Sequence, residues 1–131
     1  MPMKASATLQ VSHHTQDHTF TGKERVKKRE DFQRLYHEGT RFHAAQYSLL
    51  AVENKVNRAR IAVSVKRRIG DAVRRNYEKR LCREVFRMEK KQLEGLDVLV
   101  MVRGRSSDFK ESYHTLRTLF QRCSQRIRLK P

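Results

Sequence analysis

Apolar and polar positions change period several times along this chain, and each change marks an element. In "VKKREDFQRLYHEG", Phe32, Leu35 and Tyr36 fall at i, i+3 and i+4, the spacing of a short amphipathic helix, with Gly39 as its stop. "TRFHAAQYSLLAV" is rich in β-formers and aromatics and reads as one short and one longer strand. "ENKVNR" is a turn-rich link. "RIAVSVK" then alternates strictly, with Ile61, Val63 and Val65 on one face and Ala62, Ser64 and Lys66 on the other.

After Gly70 the period becomes helical. Asp71 is placed to cap a long helix running to about Gln92, with an apolar stripe of Val73, Tyr77, Leu81, Val85 and Met88. Arg75, Lys79, Arg80, Arg83 and Arg87 occupy the opposite arc. "LDVLVMVR" is almost continuously apolar, the mark of a strand buried on both faces, hence central or parallel to a neighbour. Strand, helix and strand make a βαβ unit. Following Ser112, Leu116, Leu119, Phe120, Cys123 and Ile127 outline a last amphipathic helix. Residues 1–20 are polar, lack periodicity and read as a disordered leader ahead of one domain over 21–131. The leader's His13, His14 and His18 lack carboxylate or thiol partners and read as solvated side chains rather than metal ligands.

Composition changes the picture most through charge. Thirty Lys and Arg against fourteen Asp and Glu leave a formal net charge of +16, far beyond what solubility needs in 131 residues. Such an excess calls for a polyanion, and nucleic acid fits a chain with no stretch near the roughly 18 apolar residues of a membrane span. A cytoplasmic protein that meets no membrane is expected. Cys82 and Cys123 have no second pair and no metal-site spacing, so both are expected as reduced packing residues.

Catalytic chemistry is not evident. The acids are scattered among basic neighbours along helices, no paired carboxylates stand out, and His37, His43 and His114 lack a nucleophile at a recognisable spacing. No catalytic or metal-ligating residue is therefore assigned, and no cofactor is expected on the protein itself. The basic residues form a constellation of another kind, because they continue over a strand end, a turn and one helical arc. Arginine forks suit phosphate, and Asn76 within the run can meet a base edge or a ribose 2′-hydroxyl. Phe32, Tyr36, Phe42 and Tyr47 could add a stacking platform, which favours single-stranded as well as folded RNA.

"RIAVSVKRRIGDAVRRNYEKRLCREVFR" resembles the signature region of the protein subunit of bacterial ribonuclease P, where a strand ending in basic residues leads through Ile-Gly-x-Ala-Val into an Arg-Asn-Arg motif. "VKKREDFQRLYHEGTRF" and "LDVLVMVRGRSS" are similar to that family's N-terminal and late segments, so the resemblance spans about Thr19 to Arg128. It implies an α+β fold: a single-domain α/β sandwich with a four-stranded mixed, largely antiparallel sheet, about three helices and a left-handed βαβ crossover. The handedness comes from the resemblance alone, since about 98% of such units are right-handed.

The resemblance further implies an RNA-binding subunit that helps a catalytic RNA, working with magnesium, to cleave the 5′ leader from precursor tRNA, with one protein per RNA. By that pattern Arg67, Arg68, Arg75, Asn76, Lys79, Arg80 and Arg83 face the catalytic RNA. Phe32, Tyr36, Tyr47, Ser64 and Lys66 touch the precursor's 5′ leader in a cleft between the first helix and the open sheet face. Tyr77 stands where the family usually shows its second arginine, and joins the apolar stripe in this reading. A structural RNA-binding protein of the ribosome is the alternative. An autonomous nuclease would need a carboxylate cluster that is not found.

Overall fold

The computed structural model describes residues 22–106 and 108–128; the segment 1–20, read above as a leader, lies outside them. In chain order the elements are α1 (Arg29–Glu38), β1 (Thr40–Ala44), β2 (Tyr47–Glu53), β3 (Arg60–Val65), α2 (Ala72–Glu89), β4 (Leu96–Val102) and α3 (Phe109–Arg128). The strands form one sheet in the order β1-β2-β4-β3. β2 is antiparallel to β1 and to β4, while β3 runs parallel to β4. The apolar run 96–102 is thus both central and parallel to a neighbour, as its lack of alternation requires.

The two faces of the sheet are covered unequally. On one, Phe42, Tyr47, Leu49, Ile61, Val98, Val100 and Val102 pack under Leu81, Val85 and Phe86 of α2 and Leu116, Leu119 and Phe120 of α3. Phe86 and Phe120 meet edge to face with ring centres 6.5 Å apart. On the other, α1 lays Leu35 and Phe32 on Leu50 and Leu99, and Ala62 and Met101 flank that small cluster. Gly39 ends α1 through its lack of a side chain: a Cβ there would collide with the Leu35 carbonyl oxygen.

The hand of the crossover follows from one hydrogen bond. Ile61 points its side chain at the helices, yet its carbonyl accepts the Val26 amide at 3.0 Å, on the outer edge of β3. An L-residue that points its side chain at the viewer on an upward strand directs its N–H and C=O to the right. Seen from the helical side, the outer edge therefore lies to the right of β3 and β4 lies to its left. α2 passes in front while the chain steps left, so the βαβ unit is left-handed, against the general preference.

Ion pairs fix α1 to the sheet. Asp97 is completely buried, and Arg60 grips it with two bonds of 2.8 Å, Nε to Oδ1 and a terminal nitrogen to Oδ2. Arg34 of α1 donates to Oδ2 at 3.1 Å, and the Asn54 side chain donates to Oδ1 at 2.9 Å. Each carboxylate oxygen thus accepts two hydrogen bonds, which offsets the cost of burying it.

Three helical details differ from the sequence reading. α2 ends at Glu89 and tightens into a 3-10 turn over Lys90–Leu93, where a continuous helix to Gln92 was expected. Its buried stripe is Glu78, Leu81, Cys82, Val85 and Phe86, whereas Val73, Tyr77 and Met88 are 77%, 37% and 40% exposed. The stripe is rotated because a buried acid, Glu78, takes a core position. α3 starts before Ser112: Asp108 accepts the Glu111 amide at 2.7 Å as the cap, and Ser112 is buried.

Cys82 and Cys123 are unpaired and buried in the main core, as expected of packing residues. Burial pushes both thiols up, Cys123 from 9.0 to about 12, with Glu78 adding to the effect at Cys82. Raised thiols contribute stability that is intact below the unfolded value near pH 9 and is lost as pH rises toward 12, because only the unfolded chain can release those protons there. The expected outcome is that wild type loses more stability across this window than a Cys82→Ala/Cys123→Ala variant, by up to roughly 1.4 kcal/mol per pH unit per thiol. Urea unfolding at stepped pH measures it, and identical pH profiles for the two proteins would contradict it.

Candidate nucleic-acid interface

Parallel β3 and β4 end at the same edge of the sheet, and α2 begins there. A 3-10 turn, Arg67–Ile69, joins β3 to α2 and leaves Arg67 and Arg68 exposed while Ile69 is buried. Asp71 caps α2, its side chain accepting the Arg74 amide at 3.0 Å. The first turn of α2 contains no acid. Both the turn and the helix start are positive, the partial charge of the helix terminus adding to the side chains.

From that cap, Asn76 and Arg80 stand exposed on the outer arc of α2, with Arg75, Lys79 and Arg83 half-buried beside them. Arg75 donates a long bond from Nε to the Asp71 carbonyl, 3.4 Å. Arg87, farther along, is neutralised by Glu84 at 2.6 Å. Among the described residues, none of Arg67, Arg68, Arg75, Lys79, Arg80 and Arg83 forms an ion pair. At Arg83 partial burial, and then the nearby charge of Arg25, push the pKa down. The seven residues expected to face a catalytic RNA thus lie along one turn and one helical arc.

Tyr77 belongs to this surface and not to the core stripe. Its ring lies under the Arg74 guanidinium, 5.1 Å from carbon to ring centre. Leu81, Val85 and Phe86 fill the space beneath α2, which leaves the Tyr77 ring at the rim.

The residues expected to form the leader cleft divide. Tyr36 is 62% exposed on α1, Phe32 is half-buried beneath the same helix, and Ser64 and Lys66 are exposed at the end of β3, on the face that carries α1. These four share the face of the sheet that carries α1. Tyr47 is the correction. It is fully buried on the opposite face, under α2 and α3, with its hydroxyl 2.9 Å from Ser106 Oγ. Burial pushes the Tyr47 hydroxyl pKa up, so it stays a neutral core group. Strand alternation gives its place on the open face to Ser48.

The open face also holds residues that the sequence did not single out. Ser48 Oγ lies 2.7 Å from His43 Nδ1 and accepts from Arg103 at 3.2 Å, so His43 and Arg103 share that floor. Arg103 follows directly on the last register pair of β3 with β4, Val65–Val102, and so sits level with Lys66. The signal was present: 97, 99, 101 and 103 alternate onto one face once the phase of β4 is known. Missed likewise were Arg74, Glu78 and Ser106: the Arg74 and Ser106 side chains both donate to Glu78, and Arg74 also donates to the Ser106 carbonyl. A lone acid four residues after Arg74, at the same turn as Leu81, was the available clue.

Among the described residues no three His, Cys, Asp or Glu side chains are grouped as metal ligands, and no helix is long and apolar enough to cross a membrane.

Residues 20–124 match the family model described as Ribonuclease P. The chain is 36% identical over 103 residues to the ribonuclease P protein component of Bacillus velezensis, covering 76% of this chain and 89% of that one. It is 35% identical over 91 residues to the corresponding component of Thermotoga petrophila, covering 69% and 78%. The solved ribonuclease P protein of Thermotoga maritima superposes with a TM-score of 0.68 at 31% identity, over 76% of this chain and 96% of that one. That of Staphylococcus aureus gives 0.62 at 28% identity, over 79% and 94%. A match over most of the chain, in sequence and in fold, means that this chain belongs to the bacterial ribonuclease P protein family, the protein component of ribonuclease P.

Proposed function

We propose that this protein binds the catalytic RNA of ribonuclease P through Arg67, Arg68, Arg75, Asn76, Lys79, Arg80 and Arg83, and holds the 5′ leader of precursor tRNA on the open sheet face. The observation that carries the reading is the row of unpaired cations on the turn 67–69 and the outer arc of α2. Close like charges raise the energy of the free protein, and RNA phosphates laid along the row remove that cost while releasing counterions.

Leader recognition uses the other surface. Exposed Tyr36 and half-buried Phe32 offer rings on which unpaired bases stack whatever their identity, while Ser64 and Lys66 stand exposed on the same face of the sheet. Lys66 and Arg103 put positive charge at the end of the cleft nearest the RNA-facing row. In this reading the RNA, with its magnesium, carries out the cleavage. The protein supplies positioning and charge neutralisation, acts in the cytoplasm and joins one RNA per chain.

Reconstitution tests it. The purified chain, added at low magnesium to a bacterial ribonuclease P RNA and precursor tRNA, is expected to restore cleavage at the mature 5′ end, whereas RNA-free protein cleaves nothing. Specific cleavage by the protein alone, or no effect on the RNA's reaction, would contradict the proposal.

Arg80→Ala is expected to weaken binding to the catalytic RNA by about 1.5–3 kcal/mol and to flatten the slope of log affinity against log salt by roughly 0.7–0.9 units, the share of one phosphate contact. The fold should be unchanged, because Arg80 is exposed and outside the buried stripe. Filter binding over a salt series reads both quantities.

For Tyr36→Ala the expectation is selective. Precursor tRNA loses about 1–3 kcal/mol of affinity for the holoenzyme, mature tRNA loses none, and the melting temperature stays put. Equal losses for the two tRNAs would place the leader elsewhere.

A further inference from the structure

The segment after β4 is tied to α2 by a buried carboxylate. Glu78 is fully buried, and Ser106 donates to it twice, from its amide to Oε2 at 3.0 Å and from its hydroxyl to Oε1 at 2.8 Å. Arg74 completes the clasp: Nε donates to Glu78 Oε2 at 3.0 Å and a terminal nitrogen donates to the Ser106 carbonyl at 2.8 Å. The loop is held at both its amide and its carbonyl, over a sequence separation of 28 residues. A buried charge is kept in a fold only when it is paired and hydrogen-bonded in this way.

The clasp brings Arg105 to the start of α2. Its Nε donates to the Ile69 carbonyl at 2.7 Å, and its guanidinium lies over Gly70, where a Cβ would come within 3.2 Å of a terminal nitrogen and 2.9 Å of Arg74 Cβ. On the other side of the loop, Arg68 donates to the Arg103 carbonyl at 3.2 Å. Arg67, Arg68 and Arg105 are all exposed, and among the described residues none forms an ion pair. Two carboxylates stand nearby. Glu78 is consumed by Arg74 and Ser106, while Asp71 accepts the Arg74 amide as the helix cap.

We propose that Arg105 is a further contact to the catalytic RNA, forming one phosphate-binding cluster with Arg67 and Arg68, and that Glu78 and Ser106 are positioning residues that dock its loop onto α2. The inference rests on the reading that the outer arc of α2 meets that RNA. It adds Arg105, 22 residues downstream of Arg83, the last of the basic motif, and joined to that motif through the fold.

The test uses the full chain with a bacterial ribonuclease P RNA, titrated over a salt series. Arg105→Gln is expected to lower affinity about tenfold and to flatten the salt slope by roughly 0.7–0.9 units. Ser106→Ala alters no charge and leaves the Arg74–Glu78 pair in place, yet it is expected to flatten the slope in the same direction. A hydroxyl contributing stability alone, in protein that circular dichroism reports as folded, would leave the slope unmoved. Combining the two changes should add little beyond Arg105→Gln. Unchanged binding by Arg105→Gln, alongside weakened binding by Arg80→Ala, overturns the proposal and spares the α2 reading. Unchanged binding by both variants overturns the α2 reading itself. A weakened Arg105→Gln with an unmoved slope in Ser106→Ala overturns the positioning role.

Discussion

The parallel pairing of β3 with β4 is the constraint from which the rest follows. Parallel neighbours cannot be joined by a hairpin, so the chain must leave the edge where β3 ends, cross the sheet as α2 and re-enter at the opposite edge. That route covers one face with a long helix and, together with α3, completes the main core there. It also brings three chain segments to one sheet edge: the end of β3, the start of α2 and the segment leaving β4. Each carries arginine at that point, so charges scattered in sequence converge in space. The left-handed step is compatible with this convergence, because both parallel strands finish at the same edge whichever hand the crossover takes.

Charge is partitioned by role. The completely buried acids, Asp97 and Glu78, are each matched to arginine and to further donors, and Asp31 joins Arg34 and Arg60 near Asp97. These pairs hold α1 to the sheet and the segment after β4 to α2. Their removal from the surface account leaves the remaining cations with little to offset them. The start of α2 is the extreme case, since a helix N-terminus favours acids and this one has arginines and a single Asp71 cap. For an isolated helix the clustered arginines are unfavourable, whereas a phosphate backbone laid along them would offset their repulsion.

The sequence carried the strands and the order of elements well, because periods of two and 3.6 survive in "RIAVSVK" and in the last helix, and the continuous run 96–102 could only be a two-sided strand. What it could not carry were phases set by distant partners. Tyr47 looks like a stacking residue until its strand is paired, after which alternation sends it to the helical face and its hydroxyl to Ser106. Glu78 lies within a basic run and reads as surface, but Ser106 and Arg74 make it a core residue and thereby turn Val73, Tyr77 and Met88 outward. Tyr36 continues the spacing of Phe32 and Leu35, yet a ten-residue helix resting on a sheet buries one narrow line, and Leu35 occupies it. The hand of the crossover has no local signal at all, since it depends on which edge of β3 faces Val26.

The two proposed surfaces meet at Arg103. Its side chain lies on the open sheet face and donates to Ser48, while its carbonyl accepts Arg68 from the basic turn. Two residues on, Arg105 bonds the carbonyl of Ile69, and Ser106 is anchored to Glu78 in the next position. The turn 67–69 and the segment that follows β4 are thus linked by the arginine side chains of both, Arg68 to the Arg103 carbonyl and Arg105 to the Ile69 carbonyl. Such links would suit the proposed role, in which a substrate strand is held in fixed relation to a separate catalyst. Positioning errors of an ångström are costly at the reacting bond, and a single sheet edge that carries both contacts keeps them in register.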